Sequence, residues 1–128
     1  MQIHQSAEDY LETILMLNQR MGRVRSIDVV NELGYTKASV SIAMKRLREN
    51  GYIAVDGEGN LTLLEPGREI AERIYSRHRL LTHFFVQLGV DEEVAAEDAC
   101  KAEHILSEQT LEKIREYALL HDAQDSVK

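Results

Sequence analysis

The chain has 128 residues, of which 44% are hydrophobic and 29% charged, and its formal net charge is −7. This length suits one compact domain or two small ones, and a single cysteine excludes an internal disulfide framework. No apolar run approaches the roughly 18 residues of a membrane span, and the first residues predict no signal peptide. We therefore expect a mostly helical, cytoplasmic protein without a membrane partner.

Three helices are predicted in the first fifty residues. The first ends before Gly22, the second begins after a predicted N-cap at Ser26 and ends at Gly34, and the third spans Lys37–Asn50. Each has apolar residues at helical spacing, as an amphipathic helix requires. The apolar positions of the first and third helices are Tyr10, Leu11, Ile14, Leu15, Leu17, Met21, Val40, Ala43, Met44 and Leu47.

The periodicity then changes to that of short strands. Two β-like runs lie at Tyr52–Val55 and Leu61–Leu64, on either side of the turn-forming segment Asp56–Asn60. Two strands joined by a turn of this kind predict a β-hairpin. A Glu-Pro-Gly segment at 65–67 interrupts the pattern, and proline suits the first turn of a helix. We therefore expect one domain at 1–64 and a second at 65–128.

Three more helices are predicted in the second domain. They run from Pro66 to about Gly89, from near Asp91 through Leu106, and from about Glu108 to His121, with a frayed tail at 122–128. Their predicted buried residues are Ile70, Ile74, Leu81, Phe84, Phe85, Leu88, Val94, Ala95, Ala99, Ala102, Ile105, Leu106, Leu111, Ile114, Tyr117, Ala118 and Leu120. The predicted fold class is mainly α with a small β-hairpin.

A short helix, a tight turn, a second helix and a hairpin follow one another in the order of a winged helix-turn-helix. The charge distribution agrees, because residues 1–50 carry seven Lys or Arg against six Asp or Glu, whereas the remainder carries eight against sixteen. A purely structural three-helix core is the other interpretation. The predicted DNA contacts are Arg23, Arg25, Thr36, Lys37, Ala38, Ser39, Ser41, Ile42, Lys45 and Arg46.

The motif Cys-Lys-Ala-Glu-His at 100–104 carries three kinds of metal ligand. Its first, fourth and fifth residues are spaced i, i+3, i+4, so on a continuous helix they share one face. Alone, such a motif is more often a small buried cysteine beside a surface Glu-His pair. Further acids in the first helix and a histidine in the fourth complete an inventory for one or two metals between helices. The candidate ligands are Asp9, Glu12, His78, Cys100, Glu103 and His104.

Several segments together resemble one known family. They are Ala7–Leu15, Ala38–Ser41, Arg46–Gly51, Leu61–Leu63 with Gly67, Arg77–Leu80 and Glu97–Ser107. In these the chain resembles the DtxR/MntR family of metal-dependent transcriptional repressors. The resemblance implies an N-terminal winged helix-turn-helix domain, a helical dimerisation domain, and metal bound where they meet. It further implies a homodimer that binds double-stranded palindromic operator DNA and represses metal-uptake genes.

The candidate ligands match two branches of this family. Five of them match the manganese branch, whereas Cys100 matches the iron branch, which has Met where this chain has Asp9. An accessory Glu and His of the iron branch fall on Thr82 and Ala96, so that accessory site cannot form in the same way. The resemblance implies activation by Mn²⁺ or Fe²⁺, with Co²⁺, Zn²⁺ or Ni²⁺ as possible ligands in vitro.

Two other functions are alternatives to this one. A winged-helix regulator that senses a non-metal ligand or a partner protein is the main alternative. An enzyme is disfavoured, because the sequence offers no nucleophile–base arrangement and no glycine-rich phosphate loop.

Overall fold

A computed structural model describes residues 5–127, with side chains for 6–122. The elements in chain order are α1 (Gln5–Met21), α2 (Ser26–Leu33), α3 (Lys37–Glu49), β1 (Ile53–Val55), β2 (Leu61–Leu63), α4 (Glu65–Gln87), α5 (Glu92–Ala102) and α6 (Glu108–Val127). This order confirms a mainly helical fold with a small hairpin. Within the described range, no helix combines the length and apolarity that crossing a membrane requires.

The chain divides into two compact units, the first running to Arg73 and the second beginning at Ile74. Helix α4 therefore starts in the first unit and ends in the second. The domain boundary between residues 64 and 65 stays a prediction.

The first unit packs α1, α2, α3 and the hairpin around one apolar core. Of the predicted apolar positions in α1 and α3, Ala43 is only partly buried, and Met21 is about half exposed in the last turn of α1 before Gly22. The buried residues of this unit include Tyr10, Leu11, Ile14, Leu15, Leu17, Val24, Val29, Val40, Met44, Leu47, Ile53, Leu61 and Leu63.

The hairpin has a third strand-like neighbour. Strands β1 and β2 pair antiparallel, with Ile53 opposite Leu63. Beyond them, Arg25 forms an isolated antiparallel bridge with Asn60, and the N–H of Leu61 donates to the carbonyl of Val24 at 2.7 Å. The segment before α2 thus joins the edge of the hairpin.

This pairing also decides where α2 begins. Arg25 is extended and occupies the N-cap position, and its N–H donates to Oδ2 of Asp28 at 2.9 Å. The predicted cap at Ser26 is wrong, because Ser26 is the first residue of the helix. The predicted end is confirmed: Gly34 has φ 72° and its N–H donates to the carbonyl of Val30 at 2.8 Å.

The second unit has a small core formed by its three helical segments. Its buried centre is Leu81, Ala99 and Leu111, with Leu80, Phe85, Ala102, Leu106 and Ile114 packed against it. Several residues predicted to be buried are instead exposed in this single chain, because nothing in the described chain covers them. They are Leu88, Val94, Ile105, Tyr117 and Leu120, and the exposure of Ile105 reaches 76%.

Two helix ends differ from prediction. Helix α5 ends at Ala102, whose carbonyl accepts the N–H groups of both Ile105 and Leu106 in a tight turn. Helix α6 continues through Val127 instead of fraying after His121. Near its C-terminal end, Asp122 accepts hydrogen bonds from His83 and from the side-chain amide of Gln87, each at 2.9 Å, which tie it to α4. Lys128, in the predicted tail, lies outside the described residues.

We expect Gly67→Ala to destabilise the protein. A Cβ at this position would lie 2.2 Å from the carbonyl oxygen of Tyr52 and 3.3 Å from Cδ2 of Leu11. The Tyr52 carbonyl accepts the N–H of Leu64 at 2.9 Å, so it cannot move freely. Urea denaturation should show a free energy of unfolding lower by about 1–3 kcal/mol. The control is Gly57→Ala, where a Cβ meets nothing within 4 Å; equal stability of the two variants would contradict the packing argument.

The hairpin turn should stabilise an ionised Asp56. The N–H and the side-chain amide of Asn60 donate to its carboxylate at 2.9 and 3.0 Å, and the N–H of Glu58 donates at 2.9 Å. These bonds, led by those from Asn60, lower the pKa of Asp56 below its ordinary value. The turn is therefore stabilised above the ordinary carboxyl pKa and loses this contribution as pH falls through the lowered value. An NMR titration should give a depressed pKa that rises in Asn60→Ala; an undepressed value would refute the turn geometry.

Candidate metal centre and DNA-facing surface

The exposed face of α3 and the segment before α2 carry the predicted DNA contacts. All ten predicted residues are exposed: Arg23, Arg25, Thr36, Lys37, Ala38, Ser39, Ser41, Ile42, Lys45 and Arg46. Thr36 also caps α3, because its Oγ1 accepts the N–H of Ser39 at 3.1 Å. This cap fixes the first turn of the helix that carries the surface.

A cleft of about 250 Å³ lies beside this surface, and sequence analysis did not predict it. Ser26 from the start of α2 and Val55 from β1 join residues of α3 in its lining. The side chains that line it are Ser26, Ser41, Met44, Lys45, Arg48 and Val55. Two hydroxyl groups and two cationic side chains are thus grouped at one place in the first unit, a combination that suits phosphate oxygens.

The tip of the hairpin is acidic rather than basic. Its five residues, 56–60, include Asp56 and Glu58 and no Lys or Arg. Positive charge comes from the neighbouring segment: Nη1 of Arg23 lies 3.9 Å from Oε2 of Glu58, and the guanidinium of Arg25 packs against Gly59. Both partners of the Arg23–Glu58 pair are largely exposed, so the interaction is weak and can be exchanged for another.

Helix α1 presents the two predicted acidic ligands on one face. Asp9 is partly exposed and Glu12 is 6% exposed. Between them, Tyr10 packs edge-to-face against Tyr35, with ring centroids 5.9 Å apart. Burial, and then the nearby Tyr35 and Asp9, raise the pKa of Tyr10 above its ordinary value, so its phenol stays neutral. A carboxylate as buried as that of Glu12 needs compensating hydrogen bonds or positive charge.

In the second unit, a fully buried carboxylate lies between two imidazoles. Glu103 has 0% exposure, and its Oε2 is 3.0 Å from Nδ1 of His78. Its Oε1 is 3.4 Å from Nε2 of His104, whose side chain is 2% exposed. In the described part of the chain, Oε1 of Glu103 makes no hydrogen bond although it is buried. One oxygen and two nitrogen donors with a buried, incompletely bonded oxygen fit a divalent transition metal.

The end of α5 changes the predicted geometry of the Cys-Lys-Ala-Glu-His motif. The expectation that the motif lies on one continuous helix is wrong, because α5 ends at Ala102 and Glu103 is its C-cap residue. The N–H of Glu103 still donates to the carbonyl of Ala99 at 2.9 Å, which keeps the turn close to helical. Cys100 is exposed, in contrast to the enclosed Glu103.

Sequence analysis did not identify Arg77 as a residue of this site. Its guanidinium donates to the backbone carbonyl of Glu103 at 3.2 Å and to Oε1 of Glu108. The only sequence signal is its position next to His78. It reaches the site from α4, which the spacing of the motif at 100–104 cannot reveal.

Two protein-family models match this chain. Residues 2–61 match the model described as the N-terminal DNA-binding domain of iron-dependent repressors. Residues 64–120 match the metal-binding and dimerisation domain of the same repressors. The two models together cover most of the chain, and the first match ends at Leu61, the first residue of β2.

Among curated proteins, relatives of similar length match the chain. An uncharacterised HTH-type transcriptional regulator of Methanocaldococcus jannaschii is 35% identical over 113 residues, which cover 87% of this chain and 90% of that protein. The HTH-type transcriptional regulator MntR of Bacillus subtilis is 32% identical over 123 residues, which cover 96% of this chain and 87% of that protein.

Solved structures share the fold. A manganese-dependent transcriptional repressor in complex with manganese is 27% identical, with a TM-score of 0.80, over 88% of this chain and 52% of that one. The manganese regulator SloR is similar in fold, with a TM-score of 0.76 at 24% identity, over 91% of this chain and 54% of that one. The chain spans about half the length of these solved proteins.

Proposed function

Because the chain belongs to the iron-dependent repressor family, that of the DtxR/MntR-type metal-dependent transcriptional regulators, we propose that Mn²⁺ or Fe²⁺ activates it to bind DNA and repress metal-uptake genes. The observation that carries this proposal is the buried carboxylate of Glu103 between His78 and His104. Because the proposed ligand is genomic DNA, we propose a cytoplasmic location. A repressor of this kind needs no catalytic group, and we propose none.

The proposed metal ligands come from both units. Carboxylates and imidazoles suit Mn²⁺ and Fe²⁺, and a thiolate favours Fe²⁺, Co²⁺ or Zn²⁺. Affinity in vitro follows the Irving–Williams order, so tighter binding of Zn²⁺ or Ni²⁺ would not identify the physiological metal. The proposed ligands are Asp9, Glu12, His78, Cys100, Glu103 and His104.

Ligands on both units would couple metal binding to DNA binding. The two acids of α1 belong to the unit that carries α3, and the other ligands belong to the second unit. A divalent cation offsets the repulsion between carboxylates and selects one arrangement of the units. By linkage, DNA that prefers this arrangement must in turn tighten metal binding.

The proposed DNA complex contains two copies of the chain. Helix α3 would lie in the major groove, with its basic side chains on phosphates and its small side chains at base edges. Large apolar residues of the second unit that are exposed in a single chain, such as Ile105, Leu119 and Leu120, support a homodimer that buries them. A two-fold dimer presents two α3 helices and therefore favours a palindromic operator.

The decisive experiment measures operator affinity with and without metal. An operator is first selected from random duplexes in the presence of Mn²⁺, and fluorescence anisotropy is then titrated anaerobically with Mn²⁺ or Fe²⁺. Native protein should gain about 5–150-fold in affinity, the usual range of allosteric coupling.

Glu103→Gln should lose this gain, because it removes the buried charge with little change of shape. The matched control is Glu112→Gln, an exposed residue paired with Arg115, which should respond like the native chain. A native chain indifferent to metal, or a full response in Glu103→Gln, would refute the proposal.

The acidic hairpin tip should weaken DNA binding. The carboxylate of Glu58 competes with phosphates for Arg23 and itself repels the DNA backbone. We expect Glu58→Gln to raise affinity about two- to fivefold on operator and random duplexes alike, with a steeper dependence on salt. Glu72→Gln, which removes an equal charge paired with Arg68 on α4, is the control. If both variants bind DNA like the native protein, the hairpin tip does not lie near the phosphates.

A further inference from the structure

Arg77 occupies a central place in the second unit. It directly precedes His78 on α4, and its side chain is only 15% exposed. Its Nη1 donates to the carbonyl of Glu103 at 3.2 Å, and its Nη2 donates to Oε1 of Glu108. One guanidinium thus joins α4 to both ends of the turn between α5 and α6.

This contact satisfies a backbone group at the end of a helix. Glu103 is the C-cap residue of α5, and the last carbonyls of a helix have no partner within it. A cation there also interacts favourably with the helix dipole, and hydrogen bonds from charged donors are stronger than neutral ones. The position of the Glu103 peptide therefore depends on a stronger bond than an ordinary turn provides.

Adjacent residues of α4 hold Glu103 at two different points. His78 contacts its carboxylate, with Nδ1 and Oε2 3.0 Å apart, and Arg77 contacts its peptide carbonyl. The His78 contact joins the side chains of two proposed ligands, so metal binding can replace it. The Arg77 contact uses none of them and is compatible with a bound metal.

We propose that Arg77 is a positioning residue of the metal centre, which holds the peptide of Glu103 so that its carboxylate faces His78 and His104. This inference rests on the proposed function. The turn at 103–107 is not regular helix, so without Arg77 its two proposed ligands can move relative to α4. Groups that orient metal ligands usually change metal affinity about 10–100-fold when they are mutated.

Glu108 offsets the charge of the Arg77 guanidinium, which lies close to the proposed metal site. Its carboxylate accepts the second bond of Arg77 and offsets the positive charge that would otherwise repel a metal. Glu108 is largely exposed, so this compensation is screened by solvent and contributes less than the bond to Glu103. Loss of Arg77 and loss of Glu108 are thus expected to have unequal effects.

The test compares Mn²⁺ and Co²⁺ affinities of the full chain by calorimetry. We expect Arg77→Gln to weaken both about 10–100-fold, and Arg77→Lys to weaken them less, because an ammonium can still donate to the Glu103 carbonyl. Glu108→Gln should weaken them less than Arg77→Gln does, and the matched control, Glu112→Gln, should bind like the native chain because Glu112 is exposed and paired with Arg115. Circular dichroism verifies that each variant folds.

A second readout separates positioning from general stability. The visible spectrum of bound Co²⁺ reports coordination geometry, so at saturating Co²⁺ it should change strongly in Arg77→Gln and to a smaller extent in Arg77→Lys. A merely structural arginine would lower the melting temperature and leave this spectrum unchanged. If Arg77→Gln does not fold, weaker binding and an altered spectrum in Arg77→Lys support the proposal, and native values overturn it.

Two further results would overturn the inference. Native affinity and spectrum in Arg77→Gln would show that the Glu103 peptide needs no support, while leaving the proposed function intact. An effect of Glu108→Gln as large as that of Arg77→Gln would assign the role to the ion pair instead. If the native chain binds neither Mn²⁺ nor Co²⁺, the proposed function and this inference both fail.

Discussion

A carboxylate buried beside two imidazoles is the interaction on which the second unit depends. Removing an ionised carboxylate from water is costly unless hydrogen bonds or positive charge compensate it. Glu103 has one such bond partner in His78 and a nearby His104, and its other oxygen is left without a hydrogen bond among the described residues. At the proposed metal site, a divalent cation would supply the missing compensation. The same feature that costs stability in a metal-free chain therefore favours metal binding.

The site is built from a helix, a turn and the packing around them. Helix α4 contributes both His78 and Arg77, and the tight turn after Ala102 brings Glu103 inward while Cys100 stays on the exposed side of α5. The small core around Leu81, Ala99 and Leu111 holds α4 against this turn. The proposed ligands of the second unit thus lie on α4, on α5 and in the turn after it, and Arg77 connects α4 to that turn.

Basic and acidic residues are distributed unevenly along the chain. The net charge of −7 does not oppose DNA binding, because six of the nine Lys and Arg residues of the first unit lie exposed on α3 or before α2. The acidic hairpin tip adds no positive charge to this surface. Affinity for DNA is therefore expected to come from α3 and from the arginines beside the hairpin, with a strong dependence on salt.

The sequence by itself determined the order of elements, the exposed face of α3 and the residue types of a metal site. Helical and strand periodicities are local properties, so the six helices, the hairpin and most core positions followed from spacing alone. Residue type and helical spacing supplied the candidate ligands, and the family resemblance supported them. Tertiary structure decided the rest: the end of α5 before Glu103, the continuation of α6 past Asp122, the pairing of Arg25 with Asn60, and the bond from Arg77 to Glu103. The last three depend on atoms from distant parts of the chain, whose contacts no local pattern encodes.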